Sequence, residues 1–579
     1  MAADTERANQ RDTGEGKVSM VVEDWRVGRA DQEPWRAEVW QRISDYVMPR
    51  KSEINTRKTK SIDGFTDQIF DTTAIHANTT LAAGQMDFLI GGKWFDNRAP
   101  FEDASDEAKL WYKRTGEIMM KVINRSNFEM EVHSFFYMRG GFGTAHFHVE
   151  EDEEEVIHCK SEDIGTYVIF ENSRGVVNKV IVLKEYTPTQ LIEEYGEVGR
   201  LGNRGITGDL RDRATQKNKD QKDNKIQVLV WIGPRKASER KAGMMDALNM
   251  PIETLHVALD AKDGSKNGTL LRQSGYEEMP DMVSRWAEWS DEVYGYCPSV
   301  EVLPTIRQLN FLEQKQDLLA EIMVDPRLLY PSNLDGDVSL RAGGVTIFDE
   351  GMPNAKPQEW LTQGRYDVGQ DRITFKRSQV DQAFFKDLFQ LLTAFNERKR
   401  QKTKFEVQEM LVEKVGRFHP TFTRLNTEFS KPFLNRVFGI CFRKDLFPEP
   451  PEDVIRENAL GEAVLETPDI EFTSKIAMLL KARQNVDFMN FLQMAEPIAA
   501  LNPNAAAIVI NAERSLKMLA DNGGVDSGFL NTPEERATIE ENQVAAAQKA
   551  EQLQQTQIAA KAARDLGGAP ENLQEAIAV

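Results

Sequence analysis

Apolar residues near the start of the chain recur at the spacing of an amphipathic helix. After Asp31 they occupy every fourth position, at Trp35, Val39, Ile43 and Val47. This spacing predicts a helix with one buried face, which ends at Pro49. The preceding residues 1–20 are polar, and we expect them to be mobile.

Two more helices are predicted before the pattern changes. One covers residues 65–90, and the other covers 106–124, with Ser105 in the position of an N-cap. Three glycines then follow one another closely, at Gly140, Gly141 and Gly143. Because glycine interrupts helices, these residues are predicted to break the helix that precedes them.

Residues that are β-branched or aromatic dominate the next part of the chain. A first group is predicted to form an antiparallel meander from the runs 143–150, 166–171 and 176–186. A second group of predicted strands comprises 225–235, 254–260 and 268–272. Residues 196–224, between the two groups, contain no aromatic side chain, and they predict a long solvated loop.

Helical spacing returns in the second half of the chain. Residues 299–324 and 366–395 are predicted to be long helices, and the Gly- and Pro-rich residues 325–365 between them are predicted to form short strands and turns. A further helix is predicted over 405–440. The remaining residues, 456–579, are predicted to be helical.

Composition indicates a large chain with buried cores. It has 579 residues, of which 40% are hydrophobic, and this length predicts about three to five folding units. No apolar run is long enough to cross a bilayer, and no secretory signal is visible, so we expect a cytoplasmic setting. Three widely spaced cysteines predict neither a disulfide framework nor a metal pair.

Charge bears on nucleic-acid binding. The 72 basic and 92 acidic residues give a formal net charge of -20, which argues against a protein that binds DNA over its whole surface. A local basic band stays possible, and residues 396–404 form such a band, with five basic side chains and one acidic side chain. A run of this kind between helices is most often a solvated connector.

Few residues suggest catalysis or metal binding. No P-loop and no GxSxG elbow is present, and the glycines near residue 140 lead from helix to strand, the reverse of a dinucleotide fingerprint. His146 and His148 share one face of a strand, with His158 across a possible hairpin, so a metal site is conceivable. Partly exposed strand histidines are the favoured interpretation, because no further ligand spacing supports a metal.

Two other motifs have simple structural interpretations. The segment that begins at Asp260 resembles a calcium loop, but Leu271 stands where the last ligand should be, so a hairpin turn is predicted. Cys159 follows His158 directly, and on a strand the two side chains would point to opposite faces. No cofactor, metal or catalytic residue is therefore predicted.

Several segments, in their order and spacing, resemble the portal, or head-to-tail connector, proteins of short-tailed bacteriophages. They are Trp40 to Pro49, Leu81 to Gly84, Lys93 to Phe95, Ser126 to Phe128, Gly141 to Thr144, Arg285-Trp286, Tyr294-Gly295, Pro298, Lys404 to Val407, Glu413, Arg424-Leu425, Glu428, Pro432 and Arg436. Together they cover about positions 35–455. The last 120 residues share only the predicted helical character.

This resemblance implies an α+β portal fold. The expected parts are a mixed α/β wing in 1–298, stem helix 1 in 299–324, a small α/β clip in 325–365, stem helix 2 in 366–395, a tunnel loop in 396–404, a return helix of the wing in 405–455 and a helical crown or barrel in 456–579. The tunnel loop would present five basic side chains to DNA phosphates. They are Arg398, Lys399, Arg400, Lys402 and Lys404.

The function that the resemblance implies is structural and not enzymatic. Twelve copies would form a ring at one capsid vertex, with a channel through which double-stranded DNA is packaged and ejected. The implied partners are double-stranded DNA, terminase, the major capsid protein and a tail adaptor, with no membrane. The implied location is the head-tail junction of the virion, after assembly in the host cytoplasm.

Two alternatives stay open from the sequence alone. One is a DNA-processing, metal-dependent nuclease whose ligands are hidden among the many carboxylates. The other is a structural capsid or tail-adaptor component without a DNA channel. A particle image separates both from the portal interpretation, because only a portal is expected to be a twelvefold ring with a central hole.

Overall fold

The structure is a computed structural model in which helices and antiparallel sheets are mixed, as the α+β prediction requires. It describes residues 14–49, 54, 69–101, 104–199, 202–206, 211–212, 225–241, 244, 246–259, 268–289, 292–324, 328–329, 358–359, 366–389, 416–457, 463–475, 488, 491–494, 515–516, 518–519 and 533–565. The chain divides into two compact units, Met1–Ala477 and Met478–Val579.

The first helix begins earlier than the sequence pattern indicates. Helix α1 covers Gly14–Pro34 and continues through a π-helical turn, Trp35–Trp40, into α2, Gln41–Tyr46. The expectation that residues 1–20 are mobile is therefore wrong for residues 14–20. The physical reason is burial, because Val18 and Val21 belong to the core that α1 forms with a five-stranded sheet.

The buried face of this helix is shifted relative to the predicted row. Ile43 and Val47 are fully buried as predicted, and so is Trp40, which does not belong to the predicted row, whereas Trp35 and Val39 are only partly buried. The π-helical turn explains the difference, because its extra residue per turn changes the direction of the side chains that precede it.

Three further helices follow along the chain. They are α3 at Thr73–Gln85, α4 at Asp106–Arg125 and α5 at Phe128–Phe142, and the first of them continues as a π-helical turn over Met86–Ile90. The Ser105 side chain accepts a hydrogen bond from the Ala108 amide, which confirms the predicted N-cap. The predicted helix over 65–90 begins only at Thr73.

The three glycines do not all end a helix. Gly140 and Gly141 lie inside α5, and the prediction that they break it is wrong. Both are buried, and a Cβ on Gly140 would lie 2.6 Å from the Asn78 Oδ1 atom, so they permit close packing of α5 on α3. Gly143 does end the helix, with a left-handed φ of 83°.

The strands form two main antiparallel sheets. The shorter strand β1 is at Phe95–Arg98, and the main strands are β2 Thr144–Asp152, β3 Val156–Glu162, β4 Tyr167–Glu171, β5 Val177–Tyr186, β6 Ile226–Pro234, β7 Ile252–Leu259, β8 Gly268–Tyr276 and β9 Asp281–Arg285. One sheet has the order β3-β2-β9, and the other has the order β4-β5-β6-β7-β8.

The single meander predicted for 143–186 is wrong in its topology. A 3-10 turn at Ile164–Thr166 separates β3 from β4, and the chain passes there from one sheet to the other. Strands β3 and β9 were not predicted. The second group of predicted strands is confirmed as β6, β7 and β8. Leu259 of β7 pairs with Gly268 of β8, as expected for two strands joined by a hairpin. The predicted turn at Asp260 lies outside the described residues.

The predicted loop 196–224 is described only in part. It follows a short helix, α6 at Pro188–Tyr195, which has a capping box of Thr187 and Gln190. Asn203 accepts a hydrogen bond from the Arg272 Nε atom at 2.7 Å, so the start of the segment is attached to β8. Residues 213–224 lie outside the described residues.

The two predicted long helices are present as a pair. Helix α7 covers Pro298–Val324, and α8 covers Tyr366–Ala383, followed by the single turn α9 at Lys386–Phe389. Between them, β10 at Leu328–Leu329 pairs with β11 at Gln358–Glu359. The prediction of one helix over 366–395 is wrong at Phe385, whose φ of 55° separates α8 from α9.

The return helix is described from Gly416. Residues 416–425 are helical, a π-helical turn covers Asn426–Ser430, and α10 covers Lys431–Arg443. Residues 405–415 of the predicted helix lie outside the described residues.

The prediction that residues 456–579 are helical is wrong at their start. Strands β12 at Ile455–Glu457 and β13 at Ala463–Leu465 pair together, and β14 at Asp469–Phe472 pairs with β1. The second unit contains the predicted helix, α11 at Pro533–Asp565. Within the described part of the chain, no helix is both long enough and apolar enough to cross a membrane.

Candidate functional site

Helices α7 and α8 form an antiparallel hairpin. The Gln316 Nε2 atom, in the second half of α7, donates a hydrogen bond at 3.0 Å to the carbonyl of Tyr366, the first residue of α8. Further down the pair, the Arg377 Nη2 atom bonds the Glu313 Oε1 atom at 2.5 Å. From the first contact to the second, the residue number falls along α7 and rises along α8. The two helices are therefore antiparallel.

The start of α7 is anchored in the α/β part of the first unit. The Ser299 hydroxyl and the Cys297 thiol donate hydrogen bonds to the carbonyls of Gly140 and Gly141, at 3.2 and 3.1 Å. Farther along the helix, the buried Asn310 Oδ1 atom accepts from the Phe70 amide at 2.8 Å. These contacts hold the first half of α7 on helix α5 and on the residues that precede α3.

The outer half of the hairpin buries little of its surface. After Asn310, Gln316 is the one residue of α7 that is buried, and α8 buries only Ile373 and Val380. Large apolar side chains are instead exposed on both helices. They are Phe311, Leu318, Met323 and Val324 on α7, and Tyr366, Val368 and Phe375 on α8.

A groove lies beside the exposed face of α7. It has a volume of about 590 Å³. It is lined by Tyr46, Phe70, Pro304, Arg307, Gln308, Asn310, Phe311 and Gln314. The groove therefore extends the exposed face of α7 toward α2 and the residues that precede α3.

An aromatic cluster holds together the two ends of the segment that carries the basic residues. The rings of Phe389, at the end of α9, and Phe418, at the start of the described return helix, are 5.9 Å apart between centroids. Phe385 and Trp286 complete the cluster, at 5.6 and 5.9 Å from Phe418. The described residues on the two sides of 390–415 therefore lie in one cluster.

The predicted DNA-facing residues belong to that segment. Arg398, Lys399, Arg400, Lys402 and Lys404 lie outside the described residues. The structure thus gives the position of the base of the segment, and the role of the five side chains stays a prediction.

A set of ion pairs, in which Arg285 is buried and Arg443 is partly exposed, fixes the return helix on the sheets. The Arg285 Nη2 atom lies 2.8 Å from the Glu428 Oε1 atom, and the Arg285 amide donates to Glu428 Oε2 at 2.7 Å. Arg285 also pairs with Glu171. At the far end of α10, Arg443 contacts Glu277 at 2.7 Å and Glu151 at 2.6 Å.

Arg139 lies fully buried beside this set. Its guanidinium donates to the carbonyls of Arg285 and Thr421, at 3.1 and 3.0 Å, and lies 5.1 Å from the Trp286 ring centroid. Burial lowers the pKa of Arg139 to about 9, while the charge of Glu428 opposes this shift. The guanidinium is therefore charged at neutral pH, and it joins α5, β9 and the return helix.

Several described segments that carry the family resemblance meet at this framework. The Trp286 amide donates to the Gly143 carbonyl at 2.8 Å, and the Gly295 amide donates to the Thr144 hydroxyl at 2.8 Å. Gly143 and Gly295 pack so closely that a Cβ on either would overlap the other's backbone. Sequence reasoning found these residues only through resemblance, and it missed Arg139.

The strand histidines have a carboxylate as their common partner. The His146 Nε2 and His148 Nδ1 atoms lie 2.9 and 2.7 Å from the Asp281 Oδ1 atom, while His158 lies on the hairpin partner β3 opposite Glu150. Burial raises the pKa of Asp281, but the charges of His148 and His146 outweigh it, and the net pKa is well below the ordinary value.

Other chemical groups give no sign of a metal site. Across the part of the chain that the structure describes, no group of three or more His, Cys, Asp or Glu side chains is arranged to hold a metal ion. Cys159, Cys297 and Cys441 are free and buried. Cys159 is fully buried while the adjacent His158 is exposed, so the prediction that they face opposite sides is confirmed.

Comparison with known proteins gives consistent matches over most of the chain. Residues 22–530 match a family described as bacteriophage head to tail connecting protein. The portal protein of Salmonella phage epsilon15 is 27% identical over 537 residues, which cover 91% of each chain. The probable portal protein of Bordetella phage BPP-1 is 25% identical over 575 residues, which cover 96% of this chain and 97% of that protein.

Proposed function

Because this chain belongs to the bacteriophage head to tail connecting proteins, we propose that it is a portal protein of the virion. In this proposal twelve copies form a ring at one capsid vertex, at the head-tail junction, and double-stranded DNA passes through the channel of the ring during packaging and ejection. The relatives from phages epsilon15 and BPP-1, named as a portal protein and a probable portal protein, support it.

The observation that carries the proposal is the hairpin of α7 and α8. A single copy leaves Phe311, Leu318, Val368 and Phe375 exposed, at 57%, 43%, 48% and 55% of their surface. Large apolar side chains that are exposed together on a helix are typical of a surface that a partner covers. In a closed ring, one face of each subunit contacts a different face of the next, so both outer faces of the hairpin would be covered.

The parts of the chain have separate roles in this proposal. Helices α7 and α8 are the stem, and residues 325–365 at their far end are the clip that contacts terminase and later the tail adaptor. Residues 1–298 and 405–455 form the wing, which is held together by Arg139 and the Arg285–Glu428 pair and faces the major capsid protein. Residues 456–579 form the crown, on the side of the capsid interior.

Residues 396–404 are the tunnel loop of the proposal. Two observations support this role. The segment 390–415 starts and ends at the cluster of Phe389 and Phe418, as a loop that projects from the stem would. It also carries five basic residues within 396–404, in a chain with a net charge of -20.

The charge balance fits passage of DNA and not tight binding. Twelve copies with a net charge of -20 each give about -240 per ring. Such a field repels the phosphate backbone, while a few cations on the loop contact it without reading bases. No catalytic step is assigned to the chain.

Alanine substitution of the five loop residues tests the tunnel role. We expect the variant with alanine at Arg398, Lys399, Arg400, Lys402 and Lys404 to form normal rings but to package or retain less DNA, because phosphate contacts are lost. The matched control removes the five basic residues of another stretch, at Arg50, Lys51, Arg57, Lys58 and Lys60.

Three results would count against the proposal. An equal loss of packaged or retained DNA in the loop variant and the control variant would show that the net charge of the chain, and not the loop, determines packaging. Normal packaging and retention in the loop variant would remove the tunnel role. Cleavage of DNA by the purified chain that depends on divalent ions would favour a nuclease.

A further inference from the structure

The two exposed faces of the hairpin point away from each other. On α7, Leu309 and Gln316 are buried, and Phe311 and Leu318 are each two residues farther along, a rotation of about 200° at 100° per residue. On α8, Ile373 and Val380 are buried. Phe375 lies two residues after Ile373 and Val368 lies five residues before it, so both point away from the buried side by a similar rotation. One apolar stripe therefore lies on each outer side of the hairpin.

The two stripes also lie at the same level along the hairpin. A Cβ on Gly369 would contact the Gln316 side chain, and Arg377 bonds Glu313, which together fix the antiparallel register. In this register Phe311 lies within about one helical turn of the level of Phe375, and Leu318 lies within about one turn of Val368.

Charge is complementary at that level. Lys315 lies one turn from Phe311, and its ammonium is 5.4 Å from the Phe311 ring centroid. Asp371 lies one turn from Phe375 on the other stripe and is exposed. Neither Lys315 nor Asp371 forms an ion pair with any residue that the structure describes. Both side chains are exposed and they carry opposite charges.

We propose that the α7 stripe of one copy, with the groove at its base, binds the α8 stripe of the next copy. Rotation about a ring axis keeps each residue at its own height, so a hairpin aligned with that axis brings Phe311 opposite Phe375 and Lys315 opposite Asp371. The groove beside Phe311, which Tyr46 and Phe70 also line, receives the Phe375 ring. This inference rests on the proposed ring and specifies which faces close it.

Engineered cysteines test the contact in the full-length chain. The double variant L318C/V368C places one thiol on each stripe, and oxidation of its rings is expected to give a ladder of covalent oligomers on a non-reducing gel. The matched control, L318C/Q370C, moves the second thiol by two residues to another side of α8. We expect at least tenfold less cross-linking in the control. The native cysteines are buried and do not compete.

A charge exchange tests the same contact without a covalent bond. The variants K315E and D371K are each expected to reduce the assembled fraction about fivefold, because each places like charges opposite each other. The double variant K315E/D371K restores the pair and should assemble within about twofold of the original chain. The control D317K changes another exposed acid of α7 and should assemble normally.

The outcomes separate this inference from the proposed function. The assigned contact faces are wrong if the original chain forms rings but L318C/V368C gives no cross-links and the double charge variant shows no rescue. In that case the ring proposal stands. Absence of rings in the original chain overturns both. A ladder together with rescue supports both.

Discussion

At the scale of single residues, buried charges join the return helix to the sheets. The Arg285 side chain is 2% exposed and its partner Glu428 is 16% exposed, and the pair is completed by a backbone hydrogen bond. A buried charge that loses its partner destabilises a protein strongly, because it cannot regain its hydration. The framework of the wing therefore depends on these few residues.

The substitution Glu428→Gln tests this dependence. It leaves the Arg285 charge buried without its main partner, and we expect a loss of about 3 kcal/mol and a lower Tm in a thermal scan. The control Asp87→Asn changes an acid whose pair with Lys475 is exposed, and it should leave the Tm unchanged. Equal Tm values for the two variants would contradict the account.

Asp281→Asn tests the carboxylate between the two histidines. The pKa of Asp281 is lowered in the folded chain, so its stabilising effect is complete above its ordinary pKa of 3.8 and is lost as the pH falls through the lower folded value. We expect urea unfolding to show a loss of about 2 kcal/mol at about pH 5 and a smaller loss at about pH 3. An equal loss at both values would be inconsistent with the lowered pKa.

The sequence predicts some of these residue-scale features. The Ser105 cap and the opposite faces of His158 and Cys159 follow from local rules, and both are present. Arg139 could not be predicted, because its partners Arg285 and Thr421 are 146 and 282 residues away in the chain. Long-range polar contacts leave no periodic signal in a single sequence.

At the scale of helices and strands, the base of the proposed tunnel loop depends on one close packing contact. A Cβ on Gly84 would lie under 3.0 Å from three atoms of the Phe389 ring, so only glycine lets α9 reach α3. This contact fixes the point at which residues 390–415 leave the hairpin.

Gly84→Ala is therefore expected to displace Phe389. The overlap should cost about 1–3 kcal/mol and increase protease cleavage within 390–415, measured by limited proteolysis and mass spectrometry. Gly416→Ala is the control, because a Cβ there meets no atom within 4 Å. Unchanged cleavage in Gly84→Ala would mean that the aromatic cluster does not hold the loop.

Periodicity predicted the long helices better than it predicted the topology of the sheets. The range of α7, Pro298–Val324, differs from the prediction by one residue at its start. The passage between sheets at Ile164–Thr166 was missed, because a short 3-10 turn has no distinctive hydrophobic pattern. The strands after residue 455 were missed because two of them have only three residues.

At the scale of the whole molecule, the chain is incomplete as a single copy. Its hairpin exposes apolar side chains on two opposite sides, while its net charge of -20 keeps its surface strongly acidic. The ring proposal accounts for both features, because neighbours cover the stripes and the acidic channel lets DNA slide. Composition alone predicted neither the stripes nor their common level, since both depend on how α7 packs on α8.

The most direct test is electron microscopy of the purified full-length chain, combined with native mass measurement. The account predicts rings with a central channel and a mass of about 790 kDa, which corresponds to twelve copies of the 65.7-kDa chain. Monomers, dimers or closed particles without a central hole at micromolar concentration would contradict it.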